Sequence, residues 1–233
     1  MYGHRLDLAA IRRALLDVQA AFPRINAHLE LRREAMSDRV VAFMMDGYAH
    51  VDRLLANRVD AFEMGQLSAL LELNHRVLCG ADPDERRHHH RHLEATEHAF
   101  YDDHRGGIRD VREWYERNRQ SSVWRRAAGV YVRILTEPQL YIEGNHRTGA
   151  LIMSYLLARE GKPPFVLTVD NAEAYFRPST VMRRTRKSAP TSIWRIPHLI
   201  GAFAAYLRST AEPDLLIPSA DGDARRDVAA GGG

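Results

Sequence analysis

Apolar residues recur every three or four positions along most of this 233-residue chain, and this spacing constrains the fold more than any other feature of the sequence. The stretch 123–135 is an example, because Val123, Ala127, Val130 and Ile134 would lie on one face of a helix. No convincing set of alternating strands accompanies these stretches. Since 45% of the residues are hydrophobic, the chain can bury a substantial core. The pattern predicts an all-α protein.

Capping residues and prolines indicate where the helices begin and end. Ser37 and Asp38 have the chemistry of an N-cap, and Gly80 that of a helix stop. Pro23 is expected to end the first helix, because proline has no N–H for the helical hydrogen bond. The predicted helices cover 6–20, 37–54, 61–78, 82–98, 111–118, 123–135, 146–159, 170–176 and 196–207.

Breaks in the pattern divide the chain into three parts. We expect a helical extension over residues 1–36, a helical domain over 37–212 and a flexible tail over 213–233. Within the domain, Gly106 and Gly107 lie among charged residues, which predicts a turn or a short β-hairpin over 100–108.

Cysteine content and hydropathy predict the compartment. Cys79 is the single cysteine, so no intrachain disulfide can form and a reducing compartment is expected. No run approaches the roughly 18 to 20 apolar residues of a membrane span, and the first residues lead into an amphipathic segment instead of a signal peptide. We therefore expect a soluble, cytoplasmic protein with no membrane partner.

Two charged segments invite functional interpretations. The first is a basic patch that either binds phosphate or nucleic acid or is a solvated loop. Because almost every basic residue of the chain is an arginine, a coding bias toward arginine explains the basic composition as well as nucleic-acid binding does. Nucleic acid is therefore not the expected partner. The second is a histidine run that either binds a metal or is a solvated polar helix, and its neighbouring arginines favour the solvated helix. The patch comprises Arg177, Arg183, Arg184, Arg186 and Lys187, and the run comprises His88, His89, His90, His92, Glu94 and His98.

The strongest candidate site is the loop over 138–150, whose sequence is PQLYIEGNHRTGA. A short polar loop that leads into a helix exposes backbone N–H groups and the positive end of the helix dipole, and such a place binds anions. Arg147 adds a planar guanidinium suited to phosphate oxygens, and Glu143 adds the type of oxygen ligand that Mg²⁺ prefers. The residues alone also allow a simple N-cap at Gly144 and Asn145 with a surface ion pair.

This loop resembles the signature of the Fic family: histidine, proline, phenylalanine, any residue, an acid, glycine, asparagine, glycine and arginine, then two residues and a second arginine. Glu143, Gly144, Asn145 and Arg147 match in register, and Tyr141 stands at the aromatic position. The resemblance extends over roughly 37–207. It implies a Fic-like helical bundle in which residues 101–108 form a small β-hairpin flap that aligns a target peptide.

The resemblance also implies a function. Fic proteins usually transfer the AMP part of ATP to a hydroxyl side chain of a target protein. Carried over to this sequence, Glu143 would hold Mg²⁺, and the loop would bind the phosphates of ATP or of another phosphate-containing donor. The phosphate-binding positions would be Gly144, Asn145, His146, Arg147, Thr148 and Gly149. The sequence leaves open whether the chain forms a homodimer.

Three positions depart from the signature. Gln139 stands where the family has its catalytic histidine, and an amide can orient a hydroxyl but cannot take its proton, a function worth about 10²–10⁴-fold in rate. His146 replaces a glycine; it is either an exposed residue at the helix start, which we favour, or a substitute base or phosphate donor. Ala150 replaces the second arginine, which weakens the case for ATP as the donor.

The arginine missing at position 150 is also, in the family, the target of an inhibitory helix. Partial matches to that inhibitory element lie at 42–47 and 68–72, where ordinary helix core is the preferred interpretation. Two hypotheses follow for the whole chain. One is an atypical Fic-type transferase of nucleotidyl or related groups, with Gln139 and His146 as the candidate catalytic residues. The other is an inactive relative that binds a nucleotide or phosphorylated metabolite as a regulator or scaffold.

Overall fold

Helices dominate residues 3–219, the part of the chain that the structure, a computed structural model, describes. The helices are α1 (Leu8–Ala27), α2 (Asp38–Ala56), α3 (Ser68–Cys79), α4 (Pro83–His88), α5 (His90–Tyr101), α6 (Ile108–Arg117), α7 (Val123–Leu135), α8 (Asn145–Arg159), α9 (Ala172–Arg183) and α10 (Ser192–Ser209). Two short strands, β1 (His4–Leu6) and β2 (Leu216–Pro218), pair in antiparallel fashion. The all-α class is therefore confirmed.

Local signals set several helix ends as expected. The Ser37 hydroxyl accepts a hydrogen bond from Val40 N and caps α2, and Gly80 ends α3 with a φ of 66°. The prediction that Pro23 ends the first helix is wrong, because α1 continues through it to Ala27. Proline inside a helix loses one hydrogen bond, and the burial of Phe22 and Ile25 against the core offsets that loss.

Four other expectations are corrected. The predicted helix over 82–98 is two helices that meet at His89, and residues 61–67 are not α-helical. The stretch over 100–108 is a turn, as expected, but it contains the 3-10 segment Asp103–Arg105 and no hairpin. The tail predicted to be flexible from residue 213 is ordered at its start, since Leu216–Pro218 pairs with β1; residues 220–233 lie outside the described part.

The core is built around α8, in which every residue from Thr148 to Ala158 is buried. A helix that is apolar on all sides must be surrounded, and α7, α2 and α3 all pack against it, while α10 packs on α7. Close helix packing needs a small residue at Gly129 of α7, where an added Cβ would lie 1.7 Å from the Trp114 ring. This arrangement fixes the start of α8, where the candidate loop lies.

Within residues 3–219, none of the helices combines the length and the apolarity that crossing a membrane requires. The thiol of Cys79 is buried.

Candidate functional site

The loop between α7 and α8 is held in shape by the side chain of Asn145. The amide oxygen of Asn145 accepts from Tyr141 N at 3.0 Å, and its nitrogen donates to Tyr141 O at 2.8 Å and to Gln139 Oε1 at 3.4 Å. With 6% of its surface exposed, Asn145 uses these polar atoms within the loop. Its direct contribution to the site is therefore the conformation of the loop.

Helix α3 fixes the loop from the other side. Asn74 Nδ2 donates to Glu143 O and to Thr148 Oγ1, both at 2.9 Å, and Tyr141 Oη donates to Leu70 O at 3.0 Å. Gly144 has a φ of 74°, and an added Cβ would lie 3.1 Å from Asn74 Nδ2. Only glycine adopts this conformation without strain, so the sequence requires a glycine at the point where the chain enters α8.

No side chain caps the N-terminus of α8. The first intrahelical bond across Gly144 runs from Thr148 N to Gly144 O, so the amides that precede Thr148 lack an i−4 carbonyl partner in the helix. These amides and the helix dipole create a positive potential at the helix start. Thr148 and Gly149, two of the expected phosphate-binding residues, are themselves buried, with Gly149 packed against Tyr131.

A cleft of about 570 Å³ opens at this helix start, which is within the usual size range of small-molecule sites. Its walls come from the loop, from residues 31–36 between α1 and α2, and from α9. The loop contributes Gln139, Ile142, Glu143, Gly144, Asn145, His146 and Arg147. Apolar groups line the opposite walls: Leu15, Phe22, Met36, Met44, Phe165, Leu167 and Phe176.

Glu143 and Arg147 occupy the cleft but do not form an ion pair with each other. The Glu143 carboxylate is 56% exposed and lies 3.6 Å from His92 Nε2. Arg147 is half-buried and donates to Val77 O at 2.7 Å. Burial lowers the pKa of Arg147, and the carboxylates of Glu143 and Glu34 oppose that shift.

The expectation that His146 is exposed is wrong, since its ring lies half-buried near Tyr131 of α7 and Tyr175 of α9. Arg33 Nη1 lies 3.3 Å from Nε2, and Tyr131 Oη lies 3.1 Å from Nδ1. Burial and the charges of Arg33 and Arg183 lower the pKa of His146 to about 3. The ring is therefore neutral at pH 7, and because arginine can only donate, Nε2 accepts and Nδ1 carries the proton.

Gln139 lies in the same cleft, with its amide held by the protein. Its Nε2 donates to Leu135 O at 3.2 Å, and its Oε1 accepts from Asn145. Neither Gln139 nor His146 thus offers an unengaged basic atom, which is what a general base must have.

The arginines at the opposite side of the cleft were not singled out as a pair by the sequence. Arg33 lies in the segment between α1 and α2, and its backbone is held by Asn26, which donates to Arg33 O at 2.9 Å and accepts from Arg33 N at 2.7 Å. Arg183 lies at the end of α9 and lines the same cleft. No local pattern marks Arg33, because its position depends on contacts with α1 and α9.

The remaining sequence candidates lie elsewhere. Of the basic patch, Arg177 pairs with Glu173, Arg184 with Glu30 and Lys187 with Asp110. Within residues 3–219, no group of three or more His, Cys, Asp or Glu side chains is arranged to hold a metal ion, so the histidine run gains no support as a metal site.

The partial matches to the inhibitory element contact other parts of the protein. Asp46 accepts from Ala81 N at 3.0 Å, and Glu72 pairs with Arg76 and Arg86. Neither carboxylate lines the cleft.

No protein-family model and no curated protein sequence matches the chain. A solved structure of a fragment of Fic-1 from C. elegans, amino acids 134 to 508 with one substitution, is similar at 18% sequence identity and a TM-score of 0.47. The similarity covers 87% of this chain and 64% of that one, so the chain spans less than two thirds of the fragment.

Proposed function

We propose that this chain binds a phosphate-bearing small molecule of nucleotide size in the cleft at the start of α8. The observation that carries the proposal is the combination, in one cleft of about 570 Å³, of an uncapped helix N-terminus, several arginines and an apolar wall. Phosphate is attracted by the first two features, and a base or another apolar group packs on the third. The likeness of the loop to the Fic signature supports the same ligand class.

Mg²⁺ would fit beside such a ligand. Glu143 and Glu34 both line the cleft, and Mg²⁺ is commonly held by one or two carboxylates together with the phosphates of a nucleotide. The ion would neutralise part of the phosphate charge. Glu143 is the residue that the resemblance assigns to this function.

Binding without catalysis is the hypothesis that the side chains favour. A transferase of the Fic type needs a base for the attacking hydroxyl of its target protein. Gln139 cannot take a proton, and His146 has both ring nitrogens engaged and a pKa of about 3. We therefore place the inactive nucleotide- or metabolite-binding protein first and the transferase second.

The test of the proposed function is calorimetry with purified protein and nucleoside mono-, di- and triphosphates, each with and without Mg²⁺. We expect binding by at least one phosphorylated ligand and much weaker binding by the corresponding nucleoside. Equal affinity for the nucleoside and its phosphates, or no binding by any of them, would refute the proposal.

The transferase hypothesis has its own test, because Gln139 lies in the cleft beside Glu143 and Arg147. Wild-type protein and the Gln139→His variant are incubated with α-³²P-labelled nucleoside triphosphates, Mg²⁺ and a cell lysate. We expect no transfer by the wild type. Transfer by Gln139→His would identify a disabled transferase scaffold, and transfer by the wild type would reverse the order of the two hypotheses.

A further inference from the structure

Arg33 is a half-buried cation whose hydrogen-bond partners are all neutral. Its Nη2 donates to Ser179 Oγ at 3.2 Å and to Thr180 Oγ1 at 3.3 Å, and its Nη1 contacts the neutral ring of His146 at 3.3 Å. The guanidinium carbon lies 5.4 Å from the centre of the Phe176 ring. Its Nε is shielded from solvent and has no hydrogen-bond partner. A cation in such surroundings is costly unless a negative charge accompanies it.

Arg183 adds a second positive charge instead of a negative one. Burial lowers the pKa of Arg33, and the nearby charge of Arg183 lowers it further. Among residues 3–219, neither Arg33 nor Arg183 forms an ion pair with a carboxylate. By contrast, Arg177 on α9 pairs with Glu173, and Arg184, which follows Arg183 directly, pairs with Glu30. We call Arg33 and Arg183 the arginine pair.

Positive charges that face one cleft without an ion-pair partner are a feature of anion sites. The position of Arg33 is also fixed before a ligand arrives, because Asn26 holds its backbone and Ser179 and Thr180 hold its guanidinium. A site that is already ordered loses less conformational entropy on binding. The protein therefore maintains an unfavourable arrangement of charge at a fixed place in the cleft.

We propose that the arginine pair binds the phosphoryl group of the ligand, and that the ligand is a phosphate ester whose apolar part packs on Phe22, Phe165 and Phe176. Arginine binds phosphate through its N–H donors, and within residues 3–219 neither Arg33 nor Arg183 has an anionic partner. This inference rests on the proposed function for the ester but places the phosphate on residues outside the loop signature. Arg147, with Glu143 and Glu34 around it, has a secondary contribution.

The experiment measures dissociation constants for inorganic pyrophosphate and for the nucleotide that binds best, by calorimetry at low salt. Arg33→Gln and Arg183→Gln are compared with the wild type and with Arg184→Gln, which removes a neighbouring exposed arginine that does not line the cleft. We expect each variant of the arginine pair to weaken both ligands by about 10- to 100-fold, because a hydrogen bond to a charged group contributes about 1.5–3 kcal/mol. Arg184→Gln should bind both like the wild type.

The outcomes separate this inference from the proposed function. Nucleotide binding that survives in Arg33→Gln and Arg183→Gln but is lost in Arg147→Gln would overturn the inference and keep the function. Pyrophosphate binding that depends on the arginine pair, without binding of any nucleotide, would keep the inference and overturn the function. Because Arg183 is exposed, Arg183→Gln is expected to fold normally. If Arg33→Gln fails to fold, Arg183→Gln still tests the inference, and unchanged binding in that variant would overturn it.

Discussion

The two sides of the cleft use their polar side chains in different ways. On the loop side, Asn145 and Arg147 donate to backbone carbonyls of the protein itself, and Gln139 is held by Leu135 O and Asn145. On the opposite side, the arginine pair has no anionic partner within residues 3–219. Asn145 and Arg147, which match the signature, are therefore engaged within the protein, while the arginine pair, which lies outside the signature, carries positive charge without an anionic partner in residues 3–219.

Under the proposed mode of binding, the sequence motif and the main phosphate-binding residues do not coincide. Polar groups already bonded within the protein gain little from a new partner, since the exchange replaces one hydrogen bond by another. A buried charge without an opposite charge beside it gains more free energy when an anion binds to it. Substitutions on the loop side should therefore alter stability first, and substitutions on the arginine side should alter binding first.

The largest effect on stability is expected from Asn145→Ala. This change leaves the backbone N–H and C=O of Tyr141 without their hydrogen-bond partners. Each buried polar group that loses its partner costs about 1–3 kcal/mol of stability. Thermal unfolding should show a fall of about 2–4 °C per kcal/mol. Asn57→Ala, at an exposed asparagine, is the control. An Asn145→Ala protein as stable as the control would show that the loop side is not held by this side chain.

Gly144→Ala should have the next largest effect, about 1–2 kcal/mol or more from its positive φ. Gly65→Ala is a matched control, because Gly65 has a φ of 86° but no atom within 4 Å of an added Cβ. The excess loss of stability in Gly144→Ala, measured by denaturant unfolding, reports the crowding against Asn74. Equal losses of stability in the two variants would mean that the loop shifts to accommodate the added Cβ at Gly144.

The structural features that could be predicted from the sequence are those that depend on residues close together in the chain. Ser37 and Gly80 act through bonds to residues three or four positions away, so their effect is visible locally. The continuation of α1 through Pro23 depends on burial against other helices, and β1 and β2 are too short to show an alternating pattern. The loop was recognisable from its residues, but the burial of His146 and the placement of Arg33 arise from contacts between distant segments.

His146 contacts both sides of the cleft, and its titration should affect stability. The pKa of His146 is about 3 in the folded protein and near 6.5 when unfolded. The unfolded state therefore binds more protons between these values, and stability should fall as pH decreases from 6.5 towards 3. One proton corresponds to a slope of about 1.4 kcal/mol per pH unit. His50 and His75 are also shifted downwards and contribute to the same window.

The measurement is the free energy of unfolding of wild type and His146→Gln at several values of pH between 4 and 7. The variant should show a shallower dependence on pH, and His98→Gln, at an exposed histidine, should show the dependence of the wild type. If His146→Gln keeps the full slope, the ring is not held neutral between the arginines and Tyr131.

The smallest effect should come from Glu143→Gln. Since Glu143 is exposed, its removal should change affinity in the absence of Mg²⁺ by no more than about fivefold. If Glu143 holds Mg²⁺, the variant should also lose the gain in affinity that Mg²⁺ gives to the wild type for a nucleoside triphosphate. Titrations with and without Mg²⁺ measure both quantities. A gain that persists in Glu143→Gln would remove the metal assignment from this residue.

The pairing of β1 with β2 has a topological consequence. Leu6 lies opposite Leu216, and Arg5 is bonded to Asp52 of α2, so the first and last described segments are anchored side by side on one helix. A short linker between residues 3 and 219 would span this distance, and the chain could then be opened at another surface loop, such as the one around Gly65. A circular permutant of this design should retain the cleft, because all of its walls lie between the joined ends.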